Sequence, residues 1–353
     1  MHLRRFPSRL RTPYAREARH DQGDVTGRRT PLRAGQVAGG SRDAPEPIAK
    51  PGAHSWFVEF MAKNTTTVSL VLGSGGARGL AHIGVIQWLI ENGYDIRSIS
   101  GSSMGALVGG IYATSKLAVY AEWVLALERM HVLRLLDPTI GSPGLFKGER
   151  IISVLRQLVG DCAIEDLAIS FTAVATDLDS GDEAWLRKGN LFDAIRASMA
   201  TPLVFTPFKH GDRLLVDGAV TNPVPVAPTL DDETDLTVAV DLSGAAEYRP
   251  VPPHSDSLIS DNGYRRRILK FIDTVRPARA GKEPSRGMFN VAMRSMQTMQ
   301  DTIARLRMST YSPDVLIEVP RNACGFFEFW KAEELIALGR ERASLAFAPR
   351  KRD

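Results

Sequence analysis

The chain has 353 residues, 44% of them apolar, and a formal net charge of +4, which is enough apolar material for one substantial core or for one domain with appendages. The positive charge is concentrated at one end, since residues 1–60 hold 11 Lys+Arg against 6 Asp+Glu and leave 33 against 34 for the remainder; the foldable part is therefore near neutral and offers nucleic acid no basic surface. Cys162 and Cys324 are the only cysteines; they make no disulfide framework and have no metal-ligand spacing, which points to a reducing, cytoplasmic compartment. No run of about 18 apolar residues occurs, so contact with lipid is expected to be peripheral.

Residues 1–66 carry Arg, Pro, Gly and Ala with little apolar periodicity and read as a disordered or loosely attached extension. They lack the apolar centre of a secretory signal, and Glu17, Asp21 and Asp24 argue against a transit peptide. Met61-Ala62-Lys63-Asn64 lies directly before the first expected strand, so residues 1–60 also read as an over-extended reading frame.

The apolar run Val68, Leu70, Val71, Leu72 predicts a strand that leads through Leu72-Gly73-Ser74-Gly75-Gly76-Ala77-Arg78-Gly79 into a helical pattern. Glycines opening a helix expose successive N–H groups at its positive end. Such a row suits a phosphate or the oxyanion of a tetrahedral acyl intermediate. Phosphate is disfavoured by spacing: there is no Gly-Lys-Ser/Thr ending, and Arg78 stands where a dinucleotide fingerprint needs glycine or alanine. After Ile96 and Ile99 comes Gly101-Ser102-Ser103-Met104-Gly105, a Gly-x-Ser-x-Gly elbow in which Ser103 is the candidate nucleophile and Gly101 and Gly105 remove obstructing Cβ atoms. The separation of about 25 residues suits one strand-helix-strand unit. By itself the pentapeptide equally fits a tight turn with a helix-capping serine.

Further along, the pattern predicts helices near Leu117–Met130 and Gly148–Val159, a strand at Phe171–Thr176, a hairpin or loop over Asp177–Leu186, a helix over Phe192–Met199 and a strand at Leu236–Val240. Asp177 to Asp182 superficially resembles a calcium loop, but Lys188 occupies the position that needs glutamate, so the segment reads as a turn. Leu214-Leu215-Val216 precedes Asp217-Gly218-Ala219. A carboxylate there can serve as general base for a serine, although Asp-Gly alone more readily marks a β-turn. Pro202, Pro207, Pro223 and Pro225 suggest a long rigid loop around it.

A Ser-Asp-His order needs a histidine after Asp217, and only His254 qualifies, in a polar proline-rich stretch. His82 reads as a packed or helix-face residue and His210 as part of an exposed turn. Beyond Ser243 a polar loop precedes a helix over Gly287–Met308, in which Met288, Val291, Met296, Met299, Ile303 and Leu306 fall near helical spacing. An ordinary helix packed on the sheet is the first expectation, and a cover for the active site or a bilayer contact the second. A strand at Pro313–Glu318 and a helix over Trp330–Ala346 close the chain. Alternating strands and helices argue for a mainly parallel sheet in a three-layer α/β/α fold.

Four ordered motifs, Gly73 to Gly84, Gly101 to Gly105, Ala197 to Pro207 and Val216 to Val226, together resemble the bacterial patatin-like phospholipase family, related to the catalytic domain of neuropathy target esterase. The resemblance covers about residues 67–242. It implies a patatin-type fold with a catalytic core over 67–243 and a helical C-terminal part, 244–353, packing on it. It implies a Ser103–Asp217 dyad cleaving phospholipid, lysophospholipid or simple ester bonds. N–H groups of Gly75, Gly76 and Ala77 would stabilise the oxyanion, and Arg78, beside Gly79, would orient the glycine backbone or meet a lipid phosphate. Ser74 and Ala219 stand where the family often has glycine. Neither metal nor cofactor is required by this chemistry; the expected partner is a lipid or ester substrate, with peripheral membrane contact. A catalytically weak scaffold on the same fold, or an acyltransferase, are the other classes considered.

Overall fold

The first apolar run forms β1 (Thr67–Leu72), followed by a 3₁₀ turn (Gly76–Leu80), helix α1 (Ala81–Glu91), β2 (Asp95–Ser102) and α2 (Met104–Ala113). These come from a computed structural model that describes residues 65–139, 141, 143–247 and 287–349, all within one compact unit. The expectations for residues 1–64 and His254 lie outside the described residues. Next come α3 (Leu117–Leu125), α4 (Arg129–Leu135), β3 (Gly144–Phe146), α5 (Glu149–Val159), β4 (Ser170–Asp177), β5 (Glu183–Leu186) and α6 (Leu191–Ser198). Strands β6 (Leu203–Phe205), β7 (Phe208–His210), β8 (Arg213–Asp217) and β9 (Leu236–Gly244) follow, then α7 (Met288–Thr310), β10 (Val315–Pro320) and α8 (Ala332–Phe347).

The helix expected over Leu117–Met130 is in fact two. The Glu128 carboxylate caps the second by accepting the His131 N–H, while His131 Nδ1 accepts the Glu128 N–H at 3.2 Å. This reciprocal capping box starts a new helix and so ends the old one. Asp177–Leu186 is a hairpin in which Asp177 Oδ1 accepts the Asp179 N–H at 3.1 Å.

Five strands run parallel in the order β10-β9-β1-β2-β4; β8 then pairs antiparallel with β4, β7 with β8, and β5 also with β4. The C-terminal strand β10 thus completes the main sheet, so residues 287–349 share its core. Side chains on β1 and β9 alternate between two layers. Leu70, Leu72, Val238 and Val240 enter the main core with α1 and α8, while Val71 and Ala239 join Ala304 of α7 on the other face. That two-sided burial explains why the strands read as continuous apolar runs. Among the described residues no helix is long and apolar enough to cross a membrane.

The register decides where the loops meet. Leu72 pairs with Gly101, setting the glycine turn beside the serine turn, and Ser102 pairs with Val174 while the next β4 residue, Ala175, pairs with Asp217. Because β8 runs antiparallel on the end of β4, its last residue arrives beside the elbow.

Candidate active site

Ser103 sits between β2 and α2 with φ 54° and ψ −118°, a strained backbone conformation that non-glycine residues avoid. Its neighbours permit nothing larger than glycine. A Cβ at Gly101 would lie 2.5 Å from Ala106 N, and one at Gly105 would lie 1.9 Å from Leu72 O. The Ser103 side chain does not cap α2. Its Oγ donates instead to Asp217 Oδ2 at 2.7 Å, with both residues buried. The Ser103 N–H donates to Ser198 Oγ at 2.9 Å, and Ser198 Oγ in turn donates to Val174 O at 2.6 Å, which anchors the elbow to β4.

Asp217 ends β8 and begins a 3₁₀ turn (Gly218–Val220) rather than a β-hairpin. A Cβ at Gly218 would come within 2.1 Å of Val174 O, so the glycine that follows the aspartate is dictated by the adjacent strand. Besides Ser103, Thr201 Oγ1 donates to Asp217 Oδ2 at 2.6 Å and the Ala219 N–H donates to Oδ1 at 2.9 Å. Burial raises the Asp217 pKa above the ordinary carboxylate value, and the donors Thr201, Ala219 and Ser103 pull it back by favouring the charged form. Thr201 is itself held in place, because its carbonyl accepts from Val204 N and Phe205 N.

The glycine turn is pinned on three sides. Gly73 N donates to Val240 O, Ser74 N to Pro223 O and Ala77 N to Phe326 O. Ala77 therefore differs from expectation: its N–H is committed to a carbonyl from the C-terminal segment and is not presented to a ligand here. The Gly75 and Gly76 N–H groups have no backbone acceptor among the described residues, and both glycines line a cleft with Ser103. Arg78 Nε donates to Gly75 O at 3.1 Å and Nη1 to Arg321 O at 2.7 Å, tying the turn to the chain after β10. A Cβ at Gly79 would meet Met104 Cβ at 2.4 Å, so this glycine lets the turn pack on α2.

His82 is fully buried, and its Nε2 must carry the proton that it donates to Gly73 O at 2.8 Å. Burial lowers its pKa from the ordinary 6.5 to about 4, so it is neutral near pH 7 and a packed residue, as expected. The unfolded chain binds this proton near pH 6.5 and the folded chain only near 4; stability is complete above the first value and is lost as pH falls toward the second. Denaturant unfolding of wild type should therefore lose about 2 kcal/mol from this group between about pH 7 and pH 5. His82→Gln, which keeps a donor without titrating, should remove that part of the pH dependence; an identical pH slope in the variant would contradict the assignment. His210 ends β7 at the Gly211-Asp212 turn.

Two clefts meet at Ser103. One is almost wholly apolar and is lined by Leu107, Trp123, Val124, Leu155, Phe205 and Phe327 among others. The other is the more polar of the two and includes Arg78, Asp217, Asp241, Ser243, Gln300 and Asp301. Gly76, Ser103, Thr201 and Phe326 border both. Helix α7 packs Ala304 on the sheet, as first expected, and also roofs the polar cleft with Met293, Met296 and Gln297. Sequence reasoning missed Ser198, Thr201 and Phe326. The first two lie inside the Ala197–Pro207 motif, where hydroxyls close to prolines were the available signal. Phe326 carries no local signal, because its role depends on where β10 returns the chain.

An α/β sheet with a strained serine elbow facing a buried carboxylate and a glycine turn defines this chain as a protein of the patatin class. A family model described as Patatin-like phospholipase matches residues 70–230. An uncharacterized NTE family protein of Mycobacterium tuberculosis strain H37Rv is 41% identical over 326 residues, covering 79% of this chain and 91% of that protein. Its counterpart in Mycobacterium bovis gives the same figures, 41% over 326 residues, with 79% and 91% covered. Neuropathy target esterase sws of Drosophila melanogaster is 31% identical over 220 residues, covering 56% of this chain and 15% of that protein. The chain belongs to the patatin-like phospholipase family, in its NTE group.

Proposed function

We propose that this protein is a serine acyl hydrolase that cleaves carboxylic ester bonds of phospholipids, lysophospholipids or related lipids. The observation that carries the reading is the 2.7 Å hydrogen bond from Ser103 Oγ to Asp217 Oδ2, placed where an apolar and a polar cleft converge. Ser103 Oγ attacks the carbonyl carbon as its proton passes to Asp217 Oδ2. The oxyanion accepts hydrogen bonds from the Gly75 and Gly76 N–H groups. Collapse of the tetrahedral species breaks the ester bond, and the departing alkoxide takes the proton back from Asp217. Water then attacks the acyl-Ser103 ester, delivering a proton to Asp217; the second collapse frees the carboxylic acid and returns the proton to Ser103. The fatty chain lies in the apolar cleft, whose walls match a hydrocarbon chain, and the leaving alcohol lies in the polar one.

Purified protein should hydrolyse a short p-nitrophenyl ester and a lysophospholipid; inertness toward both would remove the basis of this reading. Thr201 acts as a positioning residue in it. The reactive form carries an ionised Asp217, so kcat/KM rises with pH through that pKa. Thr201→Val removes a donor that lowers this pKa; the acid limb should shift to higher pH, with Thr201→Ser restoring it. A limb that stays in place would reduce Thr201 to packing.

A further inference from the structure

Helix α7 has two working faces. Met293, Met296, Gln297, Gln300 and Asp301 point into the polar cleft beside Ser103, and only Met293 and Ala304 are fully buried along its 23 residues. The opposite face is apolar in an unusual way. Met288 is 90% exposed, Leu306 65%, Met299 59% and Val291 49%, and at 3.6 residues per turn these four lie within about 80° of arc. They recur along one face over about 27 Å, from Met288 to Leu306, at 1.5 Å rise per residue, with the small hydroxyl side chains of Ser295, Thr298 and Thr302 exposed between them.

Charge distinguishes what this stripe fits. Arg294 and Arg305 are exposed on one flank and make no ion pair within 4 Å among the described residues, although Asp301 lies one turn before Arg305. Arg307 is already paired with Glu183, and the helix's single acid, Asp301, faces the cleft. A surface of flexible methionine, leucine and valine side chains with two exposed arginines on its flank complements the boundary between acyl chains and anionic head groups.

We infer that α7 docks on an anionic lipid surface through Met288, Val291, Met299 and Leu306, with Arg294 and Arg305 at the head groups. Its inner face roofs the leaving-group cleft, so docking holds that cleft one helix diameter, roughly 10 Å, from the bilayer surface that supplies ester lipid. The consequence for catalysis rests on the hydrolase reading; the docking itself does not.

The test is flotation of the full chain with phosphatidylcholine vesicles, with and without phosphatidylglycerol. It is run alongside short-ester hydrolysis and sedimentation at the same protein concentration. Wild type should float with the anionic vesicles, less so as salt is raised. The Met299→Asp/Leu306→Asp variant should bind at least about tenfold more weakly, as expected from losing two buried apolar side chains. Arg294→Glu/Arg305→Glu should lose the preference for anionic vesicles. Both variants should hydrolyse the short ester at the wild-type rate. Equal flotation of wild type and the aspartate variant overturns the inference, as does a wild-type dimer that the aspartates dissociate and that ignores vesicles, which makes the stripe a contact between copies. If wild type floats as expected but hydrolyses neither short ester nor vesicle lipid, docking stands and the hydrolase reading fails.

Discussion

Replacing Ser103 by alanine is expected to lower ester hydrolysis by about 10³-fold or more, a loss of about 4 kcal/mol in transition-state stabilisation. In the proposed mechanism the hydroxyl is the group that bonds to the acyl carbon, and a methyl cannot substitute for it. Asp217→Asn should cost a similar factor. The amide keeps the shape and one acceptor for the Ala219 N–H, yet it cannot hold the proton that leaves Ser103 Oγ. The two losses should not add, because the groups act as one unit across the 2.7 Å hydrogen bond between them. The check is kcat/KM on one ester for both single variants and the double variant, with circular dichroism and thermal unfolding to show that each is folded. Retention of activity within a few-fold by folded Ser103→Ala would falsify the nucleophile assignment.

The second large effect concerns stability and lies on the side of the sheet remote from α7. Helices α1 and α8 cross where each has a glycine against the other's backbone. A Cβ on Gly84 would lie 1.9 Å from Ile336 O, and one on Gly339 would lie 1.9 Å from Ala81 O. A rigid backbone carbonyl cannot rotate out of the way as a side chain can, so any larger residue must separate the helices. Gly339→Ala gains about 1 kcal/mol of helix propensity. Overpacking of this severity costs about 3 kcal/mol or more, so the net effect is a clear loss, and Gly339→Val should lose more. Urea unfolding should show a lower midpoint for both variants. Ser344→Ala, on the exposed face of the same helix, should leave the midpoint where it was. A Gly339→Ala protein as stable as wild type would mean that α8 does not approach α1 as closely as described.

Much of this was legible in the chain because it depends on neighbours in sequence. Strand β1, the elbow at Gly101–Gly105 and the aspartate at the end of β8 each carry a local pattern, an apolar run followed by glycine. The split between α3 and α4 was missed although its cause is also local: the Glu128–His131 capping box lacks the usual Ser/Thr start and so went unread.

What the sequence by itself determined is the parts: a parallel α/β fold, a glycine turn, a serine elbow and a carboxylate, each set by backbone sterics and apolar periodicity within a few residues. What only the tertiary structure decided is their relation. Strand register brings Asp217 beside Ser103 across 114 positions of chain, and the returning C-terminal segment delivers the Phe326 carbonyl that takes the Ala77 N–H. The same return sets α7 over the polar cleft with its apolar stripe outward. Hydrogen-bond partners and faces of this kind are chosen by packing between distant segments, and packing has no signature in the order of residues along either one.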